Sequence, residues 1–387
     1  MSISYWLDDS DSSTIETDVL IVGGGIAGVS AAYWCNKEDP NMKVTIVDKG
    51  RLGAGATGRN AGFITCGSVE HFNRLVERWG QDRAMDIWRF SEINLELLKD
   101  EIIQGDTNLE FRDDGTFSLA STEQELHELG ETADLMAKND ISVEKLSQSD
   151  IESRLGVVNF VGGIKYLKDA SVNPIKLIEK IKAQTTADFI PNVEVFDFDT
   201  QSDGTVLVKT DKQQIRASVV IMATNGYSAS LHKYFSDKIY PTRGQILSTE
   251  PVEQFMEGAC YANFVLDYFR QLEDGRVLIG GFRQIEKESE VGYSDHITDP
   301  IQNALYEFLQ TYIPRLENKK ITHRWSGIMG FAADGQPLVG ALQDQPQVFF
   351  TGGFTAHGLG LAFHAGKCVT NLMFGRDIPE FINAKRF

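Results

Sequence analysis

The sequence predicts an α/β fold, α+β overall, on three observations. Apolar, strand-like runs alternate with amphipathic, helix-like segments, and several of the runs end on glycine-rich turns. A length of 387 residues exceeds the usual size of a single hydrophobic core, which favours two domains. Hydrophobic residues make up 42% of the chain and charged residues 24%, so a globular protein is expected and a disordered one is not.

Residues 18–48 predict a dinucleotide-binding unit. The run from Asp18 to Val22 is mostly apolar and β-branched, which indicates a buried strand, and three glycines and an apolar helix follow it. Gly23, Gly25 and Gly28 have the G-x-G-x-x-G spacing. The first glycine allows a tight turn, the second allows a pyrophosphate to approach, and the third allows helix and strand to pack closely. A second strand ends on Asp48, where a carboxylate accepts hydrogen bonds from an adenosine ribose.

The start of the helix gives this motif a second means of binding phosphates. A helix N-terminus presents free N–H groups and the positive end of its dipole. The motif leaves open whether the ligand is NAD(P) or FAD, and an empty glycine-rich turn is the structural alternative. The residues expected to contact the dinucleotide here are Gly23, Gly25, Ile26, Ala27, Gly28 and Asp48.

Charge and cysteine usage exclude several function classes. The 37 basic and 55 acidic residues give a formal net charge of −18, which disfavours binding to nucleic acid and anionic membranes and suits a cationic substrate such as a protonated amine. The 4 cysteines are scattered without a C-x-x-C pair, so we expect reduced thiols rather than a disulfide framework or a zinc site. The histidines show no metal-ligand spacing either, so no metal is expected.

The N-terminus predicts a cytoplasmic protein. Residues 1–16 form an acidic, polar arm with Tyr5 and Trp6 as candidate anchors, and they lack the basic and apolar regions of a signal peptide. Residues 19–35 are the most membrane-like segment, but their glycines fit a nucleotide-binding turn better than a membrane span. No membrane span is expected, and the oligomeric state stays open.

A glycine-dense loop follows Asp48. Residues 49–63 contain five glycines in fifteen positions, so their backbone can lie close to a ligand. A plain loop of this length is uncommon in a compact domain, which favours a loop that wraps a cofactor. The contacts expected from it are Lys49, Gly55, Ala56, Thr57, Arg59, Asn60, Ala61 and Gly62.

Local patterns predict the remaining elements. Apolar residues at three- and four-residue spacing indicate helices, and Pro174 suits the first turn of one of them. Apolar or β-branched runs between turn residues indicate strands. Helices are expected at 69–104, 121–139, 174–185, 301–312 and up to about 374 at the end of the chain. Strands are expected at 163–166, 193–198, 205–210, 215–222, 240–248, 264–270, 276–280, 322–331 and 348–351, with a hairpin-like pair at 111–119.

Two of these strands run into turns that we expect to face a ligand. The strand at 215–222 leads into Ala223, Thr224 and Gly226 at the carboxyl edge of its sheet, where ligands collect in open α/β sheets. The strand at 348–351 leads into a glycine-rich turn at 352–360 that opens the last helix. A tight strand-to-helix turn packed on the core is the alternative for the second of them.

Nucleotide-type α/β stretches therefore recur along the chain. They predict a discontinuous dinucleotide-binding domain made of residues 17–68, 160–228 and 323–387. A helical block at 69–159 and a β-rich block at 229–322 are inserted between them and predict a substrate domain.

The order of these motifs resembles the FAD-dependent amine and amino-acid oxidoreductases of the D-amino-acid oxidase superfamily, nearest to its γ-glutamylputrescine oxidoreductase and glycine/sarcosine oxidase branch. The resemblance spans nearly the whole chain. It rests on the opening glycines with Asp48, GATGRNAGF at 55–63, PTRGQ at 241–245, DYFR at 267–270 with the glycines at 280–281, WSG at 325–327, DGQPLVG at 334–340 and GFTAHG at 353–358.

The resemblance implies FAD rather than NAD(P), in a Rossmann-like FAD-binding domain with an inserted substrate domain of β-sheet and helices. Three departures from the pattern change the expectations. Gly327 stands where sarcosine oxidases have the cysteine that holds the flavin, so non-covalent FAD is expected. Gly360 replaces the lysine that grips the substrate carboxylate, and an apolar residue around Leu278 replaces the oxygen-activating lysine. These two departures weaken sarcosine as the substrate and leave O2 or another acceptor open.

The resemblance implies oxidation of a primary or secondary amine or an amino acid. A hydride moves from the carbon beside nitrogen to flavin N5, and the resulting imine hydrolyses. With O2 as acceptor the second product is H2O2. An NAD(P)-dependent dehydrogenase and a flavin-binding subunit without turnover are the alternatives. Flavin contacts are further expected from Val193, Gly327, Gly353, His357, Gly358, Leu359 and Gly360.

Four side chains are candidates for the chemistry. His357 could face the flavin, tune the protonation of the substrate amine, or only bond to backbone. Arg270 and Arg243 could bind an acidic part of the substrate, because an arginine fork pairs with a carboxylate through two hydrogen bonds, with Tyr268 beside them. Asp274 and Gly275 predict a hairpin turn between the strands at 264–270 and 276–280. A structural arginine paired across this hairpin is the alternative for both.

Overall fold

A computed structural model describes residues 14–67, 69–263 and 267–387. The predicted arm, up to residue 13 and including Tyr5 and Trp6, and residues 264–266 of one predicted strand lie outside the described residues. The helices are α1 Ile26–Glu38, α2 Val69–Trp79, α3 Gln81–Leu98, α4 Glu123–Ala137, α5 Gln148–Leu155, α6 Pro174–Ala183, α7 Ser228–Leu231, α8 Asp299–Tyr312 and α9 Gly358–Met373.

The strands fall into two large sheets and one small pair. They are β1 Ile15–Val22, β2 Val44–Asp48, β3 Phe63–Ile64, β4 Thr116–Ala120, β5 Val143–Ser147, β6 Gly162–Tyr166, β7 Ala170–Ser171, β8 Asp188–Pro191, β9 Val195–Thr200, β10 Val206–Thr210, β11 Gln214–Met222, β12 Ile239–Thr249, β13 Ala259–Ala262, β14 Asp267–Gln271, β15 Val277–Gly280, β16 Ile321–Ala332, β17 Leu338–Ala341 and β18 Val348–Gly352. The mixture of helices and sheets confirms the predicted fold class.

The first sheet has a parallel centre, in the order β17-β18-β11-β1-β2-β8. β1 lies between β11 and β2 and is parallel to both, with Val22 opposite Met222 on one side and Val47 on the other. The carboxyl ends of these three strands therefore meet at one edge. That register brings together the turns after Val22, Asp48 and Met222, which is where the sequence predicts the ligand.

Helices α1 and α9 pack against each other beside this sheet. All residues of α1 from Ile26 to Asn36 are buried, which fits its apolar sequence. The two helices are in close contact at Gly366, where an added Cβ would lie 2.7 Å from the Ser30 Cβ and 2.9 Å from the Ser30 carbonyl carbon. A side chain at position 366 would therefore push the two helices apart.

The second sheet has the order β16-β12-β15-β14-β13-β4-β6-β5. Its longest pairing joins β12 to β16 in antiparallel register, with Gly244 opposite Gly327. The predicted hairpin between β14 and β15 is confirmed, with Arg270 opposite Leu278. β6 and β16 belong to this sheet, although the sequence places residues 160–228 and 323–387 in the dinucleotide-binding domain.

The predicted hairpin-like pair at 111–119 is wrong. Arg112 instead pairs with Ser171, through a backbone bond of 2.9 Å from each amide to the other carbonyl. Gly115, at φ +73°, turns the chain into β4, whose partners are β6 and β13. The partner strands of β4 therefore lie far away in sequence.

Within the described ranges, no helix combines the length and the apolar character needed to cross a membrane. The same ranges contain no group of three or more His, Cys, Asp or Glu side chains that could hold a metal ion.

Two mid-helix glycines test the contact between α1 and α9. Gly366→Ala should lower the free energy of unfolding by about 1–3 kcal/mol, because the added methyl meets the backbone of α1. Gly130→Ala in α4 is the matched control, since the nearest atom to its Cβ would be the Lys145 Nζ at 3.9 Å. This control should raise stability by up to about 1 kcal/mol through helix propensity. Chemical denaturation measures both, and equal stabilities for the two variants would contradict the packing argument.

Candidate active site

A cavity of about 560 Å³ is lined by residues from both large sheets. It extends from the turns after β1 and β2 to the turn before α9. Its volume lies within the usual range for small-molecule and cofactor sites. Of the predicted site residues, the following line it: Gly23, Gly25, Ile26, Ala27, Asp48, Lys49, Gly55, Ala56, Thr57, Arg59, Asn60, Ala61, Val193, Ala223, Thr224, Gly226, Tyr268, Gly327, His357, Gly358 and Leu359.

Asp48 is fixed at the first end of the cavity by backbone amides. Its two carboxylate oxygens accept hydrogen bonds from the amides of Gly24 and Gly50, each at 2.7 Å. The next residue, Lys49, places its ammonium 3.8 Å from the centre of the Tyr227 ring, which also lines the cavity. We call this part, around Asp48 and Tyr227, the dinucleotide end.

The N-terminus of α1 opens onto the dinucleotide end. Gly25, Ile26 and Ala27 line the cavity, and the Ile26 amide donates to the Thr57 hydroxyl at 3.0 Å. Gly28 does not line the cavity. It packs against the turn after β1, where a Cβ at position 28 would lie 1.8 Å from the Gly23 carbonyl oxygen. The third glycine of the motif therefore serves close packing, as its position in the motif predicts.

Arg59 attaches the glycine-dense loop to the second sheet. Its guanidinium donates to the Ser326 carbonyl of β16 at 2.8 Å and pairs with Asp295, also at 2.8 Å. Gly327 allows this approach, since its Cβ would lie 2.9 Å from the Arg59 Cβ. Trp325 adds a hydrogen bond of 3.0 Å from its indole to the Arg59 carbonyl. The loop is thus held across the cavity from the first sheet to the second.

Aromatic side chains line the other end of the cavity, which we call the reactive end. Phe63 lies between Tyr261 and Tyr268, with ring centres 5.3 and 5.9 Å away. The Tyr268 hydroxyl lies over Gly280, where a Cβ would come within 2.4 Å of it. These rings make this end apolar, with phenol hydroxyls at its wall.

His357 lies at the reactive end, immediately before α9. Its ring is 4.7 Å from that of His71, centre to centre. Burial, together with the positive charge of Arg74, lowers the pKa of His357 to about 4. The imidazole is therefore neutral near pH 7. Gly358 and Leu359, the first residues of α9, line the cavity beside it, so the positive helix end faces the cavity.

The turn that presents His357 is strained and held in place by β16. Thr355 and Ala356 have φ values of +49° and +69°, a region that non-glycine residues rarely occupy. The Thr355 amide donates to the Gly330 carbonyl at 3.0 Å, and the Ala332 amide donates to the Thr355 hydroxyl at 3.2 Å. Backbone strain of this kind is typical of functional sites.

Three predicted glycines serve packing rather than lining the cavity. A Cβ at Gly360 would lie 2.0 Å from the Thr65 carbonyl oxygen, and one at Gly62 would lie 2.2 Å from the Val172 carbonyl oxygen. Gly353, at φ +68°, packs against Leu338. All three glycines thus pack behind residues that line the cavity.

The structure does not bring the two predicted substrate arginines into the cavity lining. Arg243 is 3% exposed and forms an ion pair with Glu290, which is 0% exposed. It also donates to the Ser294 carbonyl at 3.0 Å. Arg270 donates to the Val172 carbonyl at 3.0 Å, and burial lowers its pKa to about 10. Both guanidinium groups bond to partners within the protein, as buried guanidinium groups require, but neither of these partners lies across the hairpin.

Other residues line the cavity that sequence reasoning missed. They include Arg74, Tyr261, Arg283 and Asp295 from the inserted blocks, Tyr227 at the end of the Ala223 turn, and Met329 of β16. Arg283 had a local signal, since it follows the paired glycines at 280–281. No local signal marked Arg74, because the sequence around it has only the pattern of an ordinary amphipathic helix.

Comparisons with known proteins agree with this geometry. The model of the DAO family, described as FAD dependent oxidoreductase, matches residues 18–372. The probable oxidoreductase OrdL of Haemophilus influenzae is 27% identical over 93% of this chain and 83% of its own length. The γ-glutamylputrescine oxidoreductase of Escherichia coli is 24% identical over 96% of this chain and 87% of its own.

A solved structure shows the same fold. Glycine oxidase from Geobacillus kaustophilus superposes with a TM-score of 0.78 at 20% identity, covering 94% of this chain and 96% of its own. At this identity the likeness concerns the fold alone.

The buried pair of Arg243 and Glu290 gives a stability test. Arg243→Met leaves the Glu290 carboxylate buried without its cation, and should cost about 3–5 kcal/mol of unfolding free energy. Lys145→Met is the control, since Lys145 and Asp134 form an ion pair in which both side chains are more than half exposed. The control should change stability by less than about 1 kcal/mol. Urea denaturation compares them, and similar losses would show that Glu290 does not depend on Arg243.

Proposed function

The chain belongs to the DAO family of FAD-dependent oxidoreductases, and we propose that it oxidises a primary or secondary amine or an amino acid. The single observation that carries this proposal is the continuous cavity, which joins a dinucleotide end at Asp48 to an apolar, aromatic end at Tyr268 and His357. Relatives whose names state amine or amino-acid substrates, including a glycine oxidase of Bacillus subtilis, support it.

The residues present fit FAD. The amides at the start of α1 and the carboxylate of Asp48 would hold the ADP half, which needs phosphate and ribose partners. Open space around Gly55, with no atom within 4 Å of its Cβ position, leaves room along the glycine-dense loop. Tyr268, His357 and the start of α9 would surround the ring system at the reactive end.

When bound, FAD would take up the hydride from the carbon next to the amine nitrogen. The chain's own residues orient and enclose the substrate. Phe63, Tyr261 and Tyr268 form an apolar wall that excludes water from the reacting carbon. The N-terminus of α9 stabilises negative charge at this end of the cavity.

His357 is a neutral group beside the position proposed for the substrate amine. Because its pKa is lowered to about 4, it adds no positive charge that would repel a protonated amine at pH 7. The imine product hydrolyses in water to a carbonyl compound. Electrons leave to O2, with H2O2 as product, or to another acceptor.

An anaerobic reduction experiment tests the proposal. The purified protein should show the visible absorbance of a bound flavin, and that absorbance should bleach when amines or amino acids are added without air. Readmission of O2 with detection of H2O2 then distinguishes an oxidase from a dehydrogenase. A protein without flavin absorbance would indicate an NAD(P)-dependent enzyme, and flavin that no amine bleaches would indicate a binding subunit without turnover.

The attachment of the flavin gives a separate prediction. All four cysteines, Cys35, Cys66, Cys260 and Cys368, are free and buried, and none of them lines the cavity. Acid precipitation of the purified protein should therefore release the flavin into the supernatant. Yellow colour that stays with the pellet would show a covalent bond and overturn this part of the proposal.

A further inference from the structure

A segment that leaves the second sheet reaches the dinucleotide end of the cavity. Residues 281–298 connect β15 to α8 and contain one short helical turn, Arg283–Glu286, and no other helix or strand. The segment is longer than the roughly 12–15 residues beyond which such loops are uncommon and usually functional. The proposed chemistry at the reactive end gives no role to its later part.

Both ends of this segment are fixed to the second sheet. At its start, the Phe282 amide donates to the carboxylate of Asp267, which is fully buried in β14, at 2.7 Å. At its end, the Thr298 amide donates to the Gln245 side chain of β12 at 2.9 Å. The segment therefore stays attached to the sheet whatever its middle part does.

Residues 291–297, which we call the clasp, are the exposed part of this segment. All of them except Gly292 are exposed. Even the large side chains of Val291, Tyr293 and Ile297 are 53%, 43% and 41% exposed. Segments with few buried contacts open at a smaller cost in free energy than the core does. The clasp can therefore separate from its neighbours while the rest of the fold stays closed.

The clasp joins two sides of the dinucleotide end. On one side, the Asp295 carboxylate pairs with the Arg59 guanidinium at 2.8 Å. On the other side, the Tyr293 ring stacks on the Tyr227 ring, with 5.4 Å between the ring centres. Tyr227 in turn contacts the ammonium of Lys49, which belongs with Arg59 to the glycine-dense loop. These contacts form a circuit that begins and ends on that loop.

This circuit lies between the cavity and the solvent. Lys49, Arg59, Tyr227 and Asp295 all line the cavity. At the same time, the side chains of Arg59 and Asp295 are 36% and 48% exposed, and Lys49 is exposed as well. Side chains that face both a cavity and the solvent form its outer wall. A ligand that fills the dinucleotide end therefore lies behind them.

We propose that the clasp retains FAD: Tyr293 and Asp295 close the dinucleotide end over the bound cofactor, and FAD leaves after their contacts with Tyr227 and Arg59 separate. This inference rests on the proposed function, since it takes FAD as the ligand of the cavity. It adds two residues of the inserted β-rich block to those that determine how long the cofactor stays bound.

The charge of Asp295 separates this role from direct attraction. FAD carries a negatively charged pyrophosphate, so a carboxylate at the dinucleotide end opposes its binding through charge alone. On that basis Asp295→Asn would slow the release of FAD. If Asp295 acts by holding Arg59 in the circuit, the same substitution speeds release. The two roles thus predict opposite signs.

The experiment follows FAD release from the purified, FAD-loaded protein as the rise in flavin fluorescence after rapid dilution. Asp295→Asn should speed release about two- to fivefold, the effect of losing a half-exposed ion pair. Tyr293→Ala should speed it about two- to tenfold through the loss of ring stacking. Tyr293→Phe keeps the stacked ring and should release FAD at the wild-type rate.

Salt provides a readout that a general loss of structure would not give. At about 1 M salt the screening length falls to about 3 Å, which weakens a half-exposed ion pair. The difference in release rate between the wild type and Asp295→Asn should therefore shrink at high salt. The difference between the wild type and Tyr293→Ala should persist, because ring stacking involves no net charge.

Glu288→Gln and Ile297→Ala are the matched controls. Both residues belong to the same segment, are exposed and lie outside the cavity lining. Each control should release FAD at the wild-type rate. Melting temperatures identify any variant that does not fold, and Tyr293→Leu, which keeps apolar bulk, replaces Tyr293→Ala in that case.

The outcomes distinguish the two proposals. Unchanged release in either Asp295→Asn or Tyr293→Ala, or slower release from Asp295→Asn, would overturn the inference and leave amine oxidation untouched. If the protein holds FAD but no amine bleaches it, the proposed function fails, while the release rates still decide whether the clasp retains the cofactor. A protein that binds no FAD overturns both.

Discussion

The close approach of α1 to the turn after β1 is the constraint on which the site depends. At Gly28 the helix comes so near to the Gly23 carbonyl that a Cβ would lie 1.8 Å from it. This contact brings the start of α1 to the carboxyl edge of the first sheet. Because α9 packs on α1 at Gly366, the same helix also determines where α9 begins. One pair of helices therefore positions both ends of the cavity.

The second sheet contributes one wall of the cavity, and the segment that follows β15 contacts the dinucleotide end. Residues 281–298 follow β15, and they reach the dinucleotide end through Asp295 and through Tyr293, which stacks on Tyr227 at 5.4 Å. At the end of this segment, the Thr298 amide donates to the Gln245 side chain of β12 at 2.9 Å. Arg243 acts on the site through this segment, by neutralising Glu290 beneath it. Its contribution is to position other residues.

Most of the residues that local signals predict for the cofactor half of the site line the cavity. The opening glycines, the loop at 49–63 and the turn before α9 are read from residues adjacent in sequence, and most of their members line the cavity. The substrate half depends on partners distant in sequence. Nothing near Arg243 indicates that Glu290 neutralises it, and nothing near Arg74 indicates that its helix reaches His357. Residue type suggested Arg243 and Arg270, and nothing adjacent to them in sequence indicates that they lie outside the cavity lining.

The same limit applies to the sheets. β5, β8, β13 and β17 were not predicted, although other strands of the same length, such as β15 and β10, were. β6 was predicted as a strand, but its own five residues do not indicate that it pairs with β4 and β5. Strand pairing in a discontinuous fold is decided by register over long separations, which local patterns do not contain.

Because every thiol is buried, the rate of cysteine alkylation can report local unfolding of this protein. Cys35 and Cys368 lie in the packed helices α1 and α9, Cys66 lies next to the Gly67 that contacts His357, and Cys260 lies in the second sheet. Burial raises the pKa of each thiol, so alkylating reagents meet neither an exposed nor an ionised sulfur in the folded chain. The rate at which each cysteine is labelled therefore reports how often its own part of the molecule opens. A single cysteine introduced on the surface could be modified without touching these four.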